Sequence, residues 1–409
     1  MLDDVVGPNE ALVLADDSYR STPVGPDGRS TSRRPNRPLK IGVIAAEFPP
    51  SHGGMQEHAR GLVGCLSVDH QVFVFTGRDH DPRLSDGTAT MRPVMQWQLA
   101  HDIPELERAP MDAWITLNAG LAPYSRRLAA PLFAYVHGKD FIQPWLPHPG
   151  RPVRLARHVL GEGLVRKWRR HEIGAGLRAA RWVFANSEFS RGVCAGLYGL
   201  SGDRFSVVPP GVRPEFFQTS SPASDTRLRL VTISRLAANA GRKNIDGVIE
   251  AIACLKGEID ISYTVIGDGD DLARLRNLAS ELGVAAHVRF LGAVDTGRLI
   301  EQFACSDAFI MAVKPSKTDV EGFGMVYAEA AASGLPSIGA RIGGVPEVIE
   351  DGVTGLLLED VSAAGIAEGL RHFNRRRASF DRNVIRMKAE RFSAPSCTAT
   401  IAGIITSMI

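Results

Sequence analysis

The feature that most constrains this chain is a repeated alternation of short apolar runs with segments of helical periodicity. Such alternation is typical of parallel strands that are buried on both faces and joined by covering helices. A helix is predicted between the first two runs, with an apolar face of Met55, Ala59, Leu62, Val63 and Leu66. The first series predicts strands at Ile41–Ala45, Gln71–Phe75, Ala113–Leu117, Leu132–Val136 and Trp182–Ala185.

A second series of the same kind begins after the polar segment Thr219–Asp225, whose composition and proline predict a linker. Because each series can form a sheet with its own helices, the chain is predicted to be α/β with two Rossmann-like domains. The second series predicts strands at Leu228–Ile233, Ile261–Ile266, Val288–Leu291, Ala308–Val313 and Leu335–Ile338.

The domain boundaries follow from these series. The N-terminal domain is predicted at 39–218 and the C-terminal domain at 226–390. A final helix over 391–409 could pack back on the N-terminal domain, and residues 1–38 are too polar to bury much surface and are expected to form a flexible tail. Open parallel sheets bind ligands beyond the carboxyl ends of their strands, so the residues just after each strand are the candidates for a site.

The composition excludes several classes of protein. The chain has 409 residues, 44% hydrophobic, and no apolar run of about 18 residues that could span a membrane. A net charge of +2 is too small to indicate nucleic-acid binding. The five cysteines are scattered, and Asp3 and Asp4 stand where a secretory signal would be basic. We therefore expect a cytoplasmic protein that is neither secreted nor integral to a membrane.

The segment Glu321–Ala330 (EGFGMVYAEA) carries the strongest pattern. Gly322 and Gly324 allow the backbone to approach a ligand and to start a helix whose free N–H groups attract anions. Gly334 fits a left-handed cap at the end of that helix. The sequence therefore predicts a helix whose positive end faces the ligand.

Glu321 and Glu329 raise the alternative of a glycosidase. The two carboxyl groups of a retaining glycosidase lie about 5 to 5.5 Å apart, whereas eight positions along a helix span about 12 Å. A catalytic pair is therefore not favoured, and two separate hydroxyl-binding roles fit better.

Together with Gly339–Val348 (GARIGGVPEV), this E-x7-E block resembles glycosyltransferase family four, and the resemblance extends over residues 39 to about 358. It implies the GT-B fold, with two facing Rossmann-like domains, and retaining transfer of a sugar from a nucleotide. It also implies that Glu321 contacts the hydroxyls of the donor sugar and that Glu329 contacts the ribose. The other donor-binding positions of this segment would be Gly322, Phe323, Gly324, Met325 and Val326.

The departing diphosphate of such a donor needs positive charge, which an arginine and a lysine at a helix start can supply. The resemblance assigns this task to Arg235, which follows a predicted strand, and Lys243, which opens the next helix. The spacing is longer than the commonest family form, so Arg242 is an alternative to Lys243. Gly53 and Gly54, after the first strand, are expected to face the donor from the other domain.

His137 follows the predicted strand Leu132–Val136 and, by the resemblance, contacts the donor sugar, and Asp140 in the same stretch is expected to bind the donor as well. A structural histidine is the alternative. The nucleotide base is expected near two strand ends, at Ile266, Gly267 and Gly292.

Two D-x-D patterns, Asp79–Asp81 and Asp268–Asp270, raise the alternative of a metal site. The second follows a strand, so Asp268 is predicted in a turn, with Asp270 or Asp271 as a helix cap. We expect neither a metal ion nor another cofactor.

The stretch Arg151–His171 is the one concentrated basic segment, and Leu160, Leu164 and Trp168 recur within it every four residues. A basic amphipathic helix resting on anionic lipid would have this pattern. The alternative is a solvated helix that packs on its own domain.

These patterns and the resemblance predict a hexosyltransferase that uses a UDP- or GDP-linked donor and a saccharide or lipid-linked acceptor. The expected setting is bacterial-type cell-surface polysaccharide or glycolipid biosynthesis, at or near the inner face of the membrane. Retention is implied by the resemblance, and because no residue presents itself as a covalent nucleophile, we expect a front-side displacement. The alternatives are a sugar-nucleotide epimerase of the same fold, which would need no acceptor, and a non-catalytic binding protein.

Overall fold

The computed structural model describes residues 37–45, 48, 53–76, 89–93, 107–143, 158–217, 226–316 and 320–409. The strands are β1 Lys40–Ala45, β2 Gln71–Thr76, β3 Ala89–Pro93, β4 Ala113–Thr116, β5 Leu132–Val136, β6 Trp182–Ala185, β7 Phe205–Val207, β8 Leu228–Ile233, β9 Ile261–Ile266, β10 Val288–Gly292, β11 Ala308–Met311, β12 Ser337–Ala340 and β13 Gly355–Leu358. The α-helices are α1 Gly54–Leu66, α2 Lys139–Ile142, α3 Glu162–Ala179, α4 Glu188–Tyr198, α5 Ile245–Cys254, α6 Leu272–Glu281, α7 Thr296–Ala304, α8 Met325–Ala332, α9 Val345–Val348, α10 Ala363–Arg376, α11 Arg382–Ala389 and α12 Ala394–Met408.

The N-terminal domain contains a parallel sheet of seven strands in the order β3-β2-β1-β4-β5-β6-β7. The five strands predicted for it are present with almost the predicted bounds. The sequence analysis missed β3 and β7, the two edge strands. Strand β3 contains an arginine and a proline, and β7 has only three residues, so neither presents a clear apolar run.

The C-terminal domain contains a parallel sheet of six strands in the order β10-β9-β8-β11-β12-β13. The prediction began β12 too early, at Leu335, because that residue is apolar and buried. Its N–H instead donates to the carbonyl of Ala330 and closes the end of α8. Gly334 has the left-handed conformation predicted for it, with φ of 71°. The short strand β13 was missed.

The chain passes between the two domains twice, near Val212 and near Phe392, and these two segments are hydrogen-bonded to each other. The N–H of Val212 donates to the carbonyl of Phe392 at 2.7 Å, and the N–H of Ala394 donates to the carbonyl of Val212 at 2.8 Å. Helix α12 then returns to the N-terminal domain and packs its buried residues Ile401 and Ile405 with the apolar face of α1. Within the described ranges, no helix is long and apolar enough to cross a bilayer.

Several predictions fall on residues that lie outside the described ranges. These are the linker Thr219–Asp225, nearly all of the tail 1–38, the Asp79–Asp81 pattern and the part of Arg151–His171 before residue 158.

Candidate active site

Glu321 lies at the centre of a charged cluster in the C-terminal domain. Its Oε2 accepts hydrogen bonds from the Nζ of Lys243 at 2.7 Å and from a guanidinium nitrogen of Arg242 at 3.3 Å. Burial alone would raise the pKa of Glu321, but attraction and hydrogen bonding from these two cations lower it below its ordinary value. The site therefore contains a fixed carboxylate with more positive than negative charge around it.

The backbone at Asn244 directs Lys243 into this cluster. Asn244 has a φ of 60°, and it separates the 3-10 helix Ala238–Lys243 from α5. Its buried amide donates to the carbonyls of Ala312 at 2.9 Å and Val361 at 2.8 Å, which fixes the turn. Arg235, exposed at the end of β8, lines the same shallow pocket as Lys243, so the structure brings the two predicted phosphate-binding cations together.

The loop after Glu321 contacts the N-terminal domain directly. A Cβ atom at Gly322 would lie 2.1 Å from the carbonyl oxygen of His137, and a Cβ at Gly138 would lie 3.3 Å from the Cα of Gly322. Only glycine allows this approach of two backbones. His137 in the N-terminal domain and Glu321 in the C-terminal domain are thus on loops that meet.

His137 offers a free ring nitrogen. Burial lowers its pKa, so the imidazole is neutral near pH 7, and its buried Nε2 has no hydrogen-bond partner within the described ranges. The ring packs against Tyr135, with centroids 4.7 Å apart, and against the edge of His58 at 5.3 Å. A buried ring nitrogen without a protein partner is suited to a hydroxyl of a bound sugar.

Asp140 was predicted to bind the donor, but its carboxylate is bound to the backbone of its own domain. Its carboxylate accepts hydrogen bonds from the backbone N–H groups of Ala119 at 2.8 Å, His137 at 3.0 Å and Gly138 at 2.8 Å. These bonds hold the His137–Gly138 turn in shape. We therefore place Asp140 behind the site, as a residue that positions His137.

Two helices begin at the same place from opposite domains. Gly53 precedes α1 and Gly324, with φ of 91°, precedes α8. A Cβ atom at Gly54 would lie 3.6 Å from the Cγ of Met325, the first residue of α8. Because the free N–H groups of both first turns point toward this junction, it is suited to an anion.

Phe323 and Val326 contribute little side-chain surface here. Phe323 is buried and packs edge-on against Phe392, with ring centroids 5.4 Å apart, so only its backbone can contact a donor. Val326 is partly buried against the core of the C-terminal domain.

Glu329, partly buried on α8, lies near charges from the connecting segment and from α1. Burial raises its pKa to about 8, with repulsion from Glu57 adding to the effect and attraction to Arg213 opposing it. Arg213 is itself paired with Glu57, at 3.3 Å. The charges that act on Glu329 thus differ from those that act on Glu321, which agrees with two separate roles rather than a carboxyl pair.

The raised pKa of Glu329 predicts that both the stability of the protein and its binding of nucleotide depend on pH. Its folded-state pKa exceeds its ordinary value of 4.5, so between about pH 4.5 and 8 the folded chain retains a proton that the unfolded chain releases. The contribution of Glu329 to stability therefore falls as pH rises through that window. Ribose hydroxyls that donate to Glu329 would favour the carboxylate, so nucleotide binding at pH 7.5 should release a proton.

Calorimetry of nucleoside diphosphate binding in two buffers with different ionisation enthalpies measures this release. The wild type should release more protons than Glu329→Gln, and Glu329→Ala should lose on the order of 1.5 to 3 kcal/mol of binding. Equal proton release and equal affinity in folded variants would remove Glu329 from the ribose.

The two predicted base-side loops are adjacent. The N–H of Gly267 donates to the carbonyl of Gly292 at 2.9 Å, directly after β9 ends at Ile266. Asp268 and Asp270 are exposed. Asp271 stands at the N-cap position of α6, as one of the two predicted alternatives, but its carboxylate pairs with Arg274 at 2.6 Å and makes no capping hydrogen bond.

Sequence reasoning missed two polar residues that follow β6, Asn186 and Ser187. The Nδ2 of Asn186 donates to the carbonyl of His137 at 2.7 Å, and the hydroxyl of Ser187 donates to the carbonyl of Gly322. Their position directly after a strand was the signal that could have identified them. They link the His137 loop to the Glu321 loop.

The fold and this cleft define a two-domain nucleotide-sugar transferase. Residues 52–216 match the family model described as Glycosyltransferase Family 4, and residues 215–389 match the model described as Glycosyl transferases group 1. The chain belongs to this family of glycosyltransferases and has the GT-B fold.

Relatives and solved structures agree with this assignment. The chain is 33% identical over 407 residues to a D-inositol 3-phosphate glycosyltransferase of Streptomyces scabiei, covering 85% of this chain and 86% of that protein. It is 29% identical over 372 residues to a GDP-mannose-dependent alpha-(1-6)-phosphatidylinositol monomannoside mannosyltransferase of Mycobacterium tuberculosis, covering 81% and 88%. The structure of Anabaena HepE with UDP superposes with a TM-score of 0.72 at 19% identity, covering 90% of this chain and 100% of that chain.

Proposed function

We propose that the chain transfers a hexosyl group from a nucleoside diphosphate sugar to a hydroxyl of a lipid-linked acceptor, with retention and without a metal ion. The observation that carries this proposal is the cluster of Glu321, Lys243 and Arg242 beside the junction of α1 and α8. Side-chain cations and two helix starts supply positive charge where a diphosphate departs.

Each group then has a distinct task in the transfer. Lys243 and Arg235 neutralise the charge that grows on the leaving diphosphate, while Glu321 and His137 hold the hydroxyls of the donor sugar. The acceptor oxygen attacks from the side of the departing phosphate, which takes the acceptor proton. Positioning and charge neutralisation provide most of the rate in this scheme.

The names of the two relatives suggest which substrates to test first. One relative uses GDP-mannose, and both names contain an inositol phosphate group in the acceptor. We therefore propose GDP- and UDP-hexoses as donors, and acceptors with an inositol phosphate head group, in glycolipid or cell-surface polysaccharide biosynthesis.

A transfer assay with each donor, with and without acceptor and with excess EDTA, tests the proposal. We expect product only with acceptor present, the same anomeric configuration in donor and product, and full activity in EDTA. Conversion of the donor sugar without acceptor would support the epimerase alternative. Loss of activity in EDTA, restored by magnesium or manganese, would make Asp268 and Asp270 candidate ligands.

Helix α3 and the turn before it suggest how a lipid-linked acceptor is reached. Leu160, Leu164 and Trp168 are 59%, 65% and 51% exposed, while the opposite face of α3 buries Val165 and Ile173. The helix thus packs on its own domain and also presents apolar side chains to solvent. The basic side chains of Arg166 and Lys167 are exposed nearby, so this surface fits the anionic face of a membrane.

Replacing Leu164 and Trp168 together by glutamate should lower binding to vesicles that contain phosphatidylglycerol about tenfold or more, because apolar burial is lost and negative charge is added. Flotation at low and high salt measures this. Met387→Glu is the matched control, since Met387 is 58% exposed on a helix of the other domain. Equal flotation of all three proteins would exclude α3 as a membrane contact.

A further inference from the structure

The first turn of α4, in the N-terminal domain, is capped by a side chain of the C-terminal domain. The backbone N–H groups of Glu188 and Phe189 donate to the two carboxylate oxygens of Glu347, at 2.7 Å and 2.9 Å. The third N–H, of Ser190, donates to the hydroxyl of Ser187 at 3.0 Å. The unpaired N–H groups at this helix start are thus shared between a cap in the same domain and a cap across the cleft.

Glu347 is on a segment that also positions Glu321. Glu347 lies on α9, which begins directly after Gly343 and Gly344. The N–H of Gly344 donates to the carbonyl of Glu321 at 2.9 Å. A Cβ atom at Gly344 would lie 2.2 Å from the carbonyl oxygen of Gly322. The backbone that carries Glu347 therefore packs directly on the loop that carries Glu321.

The residues that precede α4 contact the same two loops. Asn186 donates to the carbonyl of His137 and Ser187 donates to the carbonyl of Gly322. Glu347 therefore binds the helix whose first residues hold the His137 loop against the Glu321 loop.

Opposing free-energy contributions act on the contact between Glu347 and α4, which suits a contact that forms and breaks. A carboxylate at a helix N-terminus is stabilised by the free N–H groups and the helix dipole. Burial nevertheless raises the pKa of Glu347, and the two N–H bonds only partly oppose that effect. When the domains separate, water can solvate both the carboxylate and the N–H groups, so the contact costs little to open.

We propose that Glu347 is a positioning residue that holds the cleft closed by capping α4, and so presents His137 to a donor bound at Glu321. The proposal rests on the proposed function, since closure matters for transfer between the two walls. The contact is made by the protein alone, so it can also be measured without substrate.

The experiment compares the full-length wild type with Glu347→Ala and Glu347→Gln, and uses Glu350→Gln as the matched control. Glu350 is three residues further along the same domain and pairs with Lys388 at 2.7 Å, away from the cleft. Hydrogen exchange measures the amides at the start of α4, small-angle scattering measures the radius of gyration, and kinetics separate kcat from nucleotide affinity.

For Glu347→Ala we expect faster exchange of the Glu188 and Phe189 amides, a larger radius of gyration and a kcat about tenfold lower, a size typical of coupling between sites. Nucleotide affinity should fall less than kcat, because the positions proposed for the ribose and base lie in the C-terminal domain and only the start of α1 faces the diphosphate from the other domain. Glu347→Gln, which keeps one acceptor oxygen, should be intermediate, and Glu350→Gln should match the wild type.

Unchanged amide exchange and an unchanged radius of gyration in Glu347→Ala would overturn the proposal. So would a lower kcat that returns to the wild-type value on cooling, because that result indicates a folding defect. If the wild type itself transfers no sugar, the proposed function fails, while exchange and scattering still decide whether Glu347 closes the cleft.

Discussion

Lys243→Ala should reduce the rate of transfer about 10²- to 10³-fold, the loss typical when a group that stabilises developing charge is removed. Its ammonium is the closest cation to Glu321, at 2.7 Å, and Asn244 directs it into the cleft. Because negative charge on the diphosphate grows toward the transition state, kcat should fall more than donor affinity. Steady-state kinetics with a fixed acceptor measure both quantities.

Arg242→Ala is the matched control for this prediction. Arg242 lies one residue away and contacts the same carboxylate oxygen, but at 3.3 Å, and Lys243 remains when it is removed. We expect a much smaller loss of turnover. A larger effect for Arg242 than for Lys243 would show that the two residues have been assigned the wrong way round.

Glu321→Gln should lower transfer about 100-fold while tightening the binding of the free nucleoside diphosphate several-fold. The two effects have opposite signs because the carboxylate has two sets of partners. It is proposed to bind hydroxyls of the donor sugar, which the free nucleotide lacks, and it also neutralises Lys243 and Arg242. Without that carboxylate, the positive charge of both residues is no longer neutralised by it and attracts phosphate more strongly.

Isothermal titration and transfer kinetics on the same preparation of Glu321→Gln test this split. Weaker binding of the free nucleotide would show that Glu321 contributes to the diphosphate site directly. Unchanged transfer would remove the carboxylate from the sugar site. Glu359→Gln is a suitable control, because that glutamate is exposed and paired with Arg341 on the surface.

Strand periodicity predicted most of the fold. The buried strands of both sheets have apolar runs and were placed within two residues, since a strand covered on both faces must be apolar. The edge strands β3, β7 and β13 were missed, because pairing on one side leaves short or polar sequences possible. Leu335 was wrongly assigned to β12 because it is apolar, whereas it closes the end of α8.

The positions of the candidate site residues in the fold follow from the strand ends, whereas the directions of their side chains do not follow from the sequence. Arg235, His137 and the base-side glycines follow strands, and the sheet topology gathers them. The sequence does not indicate that Asp140 turns toward three backbone N–H groups, or that Phe323 turns into the core. Those directions are set by tertiary packing.

Contacts across the cleft were the least predictable. Glu347 and Glu188 belong to different domains and are separated by 159 positions, so no local pattern relates them. Gly322 and Gly138 are required because their two backbones approach closely. The approach is between different domains, so the sequence around either glycine does not reveal it.

We infer that the cleft binds a nucleoside diphosphate through Lys243 and Glu329. Thermal unfolding of the wild type, Lys243→Ala and Glu329→Ala with UDP, GDP and ADP tests it most directly. We expect one diphosphate to stabilise the wild type, by about 2.7 kcal/mol at 100 times its Kd, and to stabilise both variants much less. No stabilisation by any of the three, or equal stabilisation of all three proteins, would contradict the account.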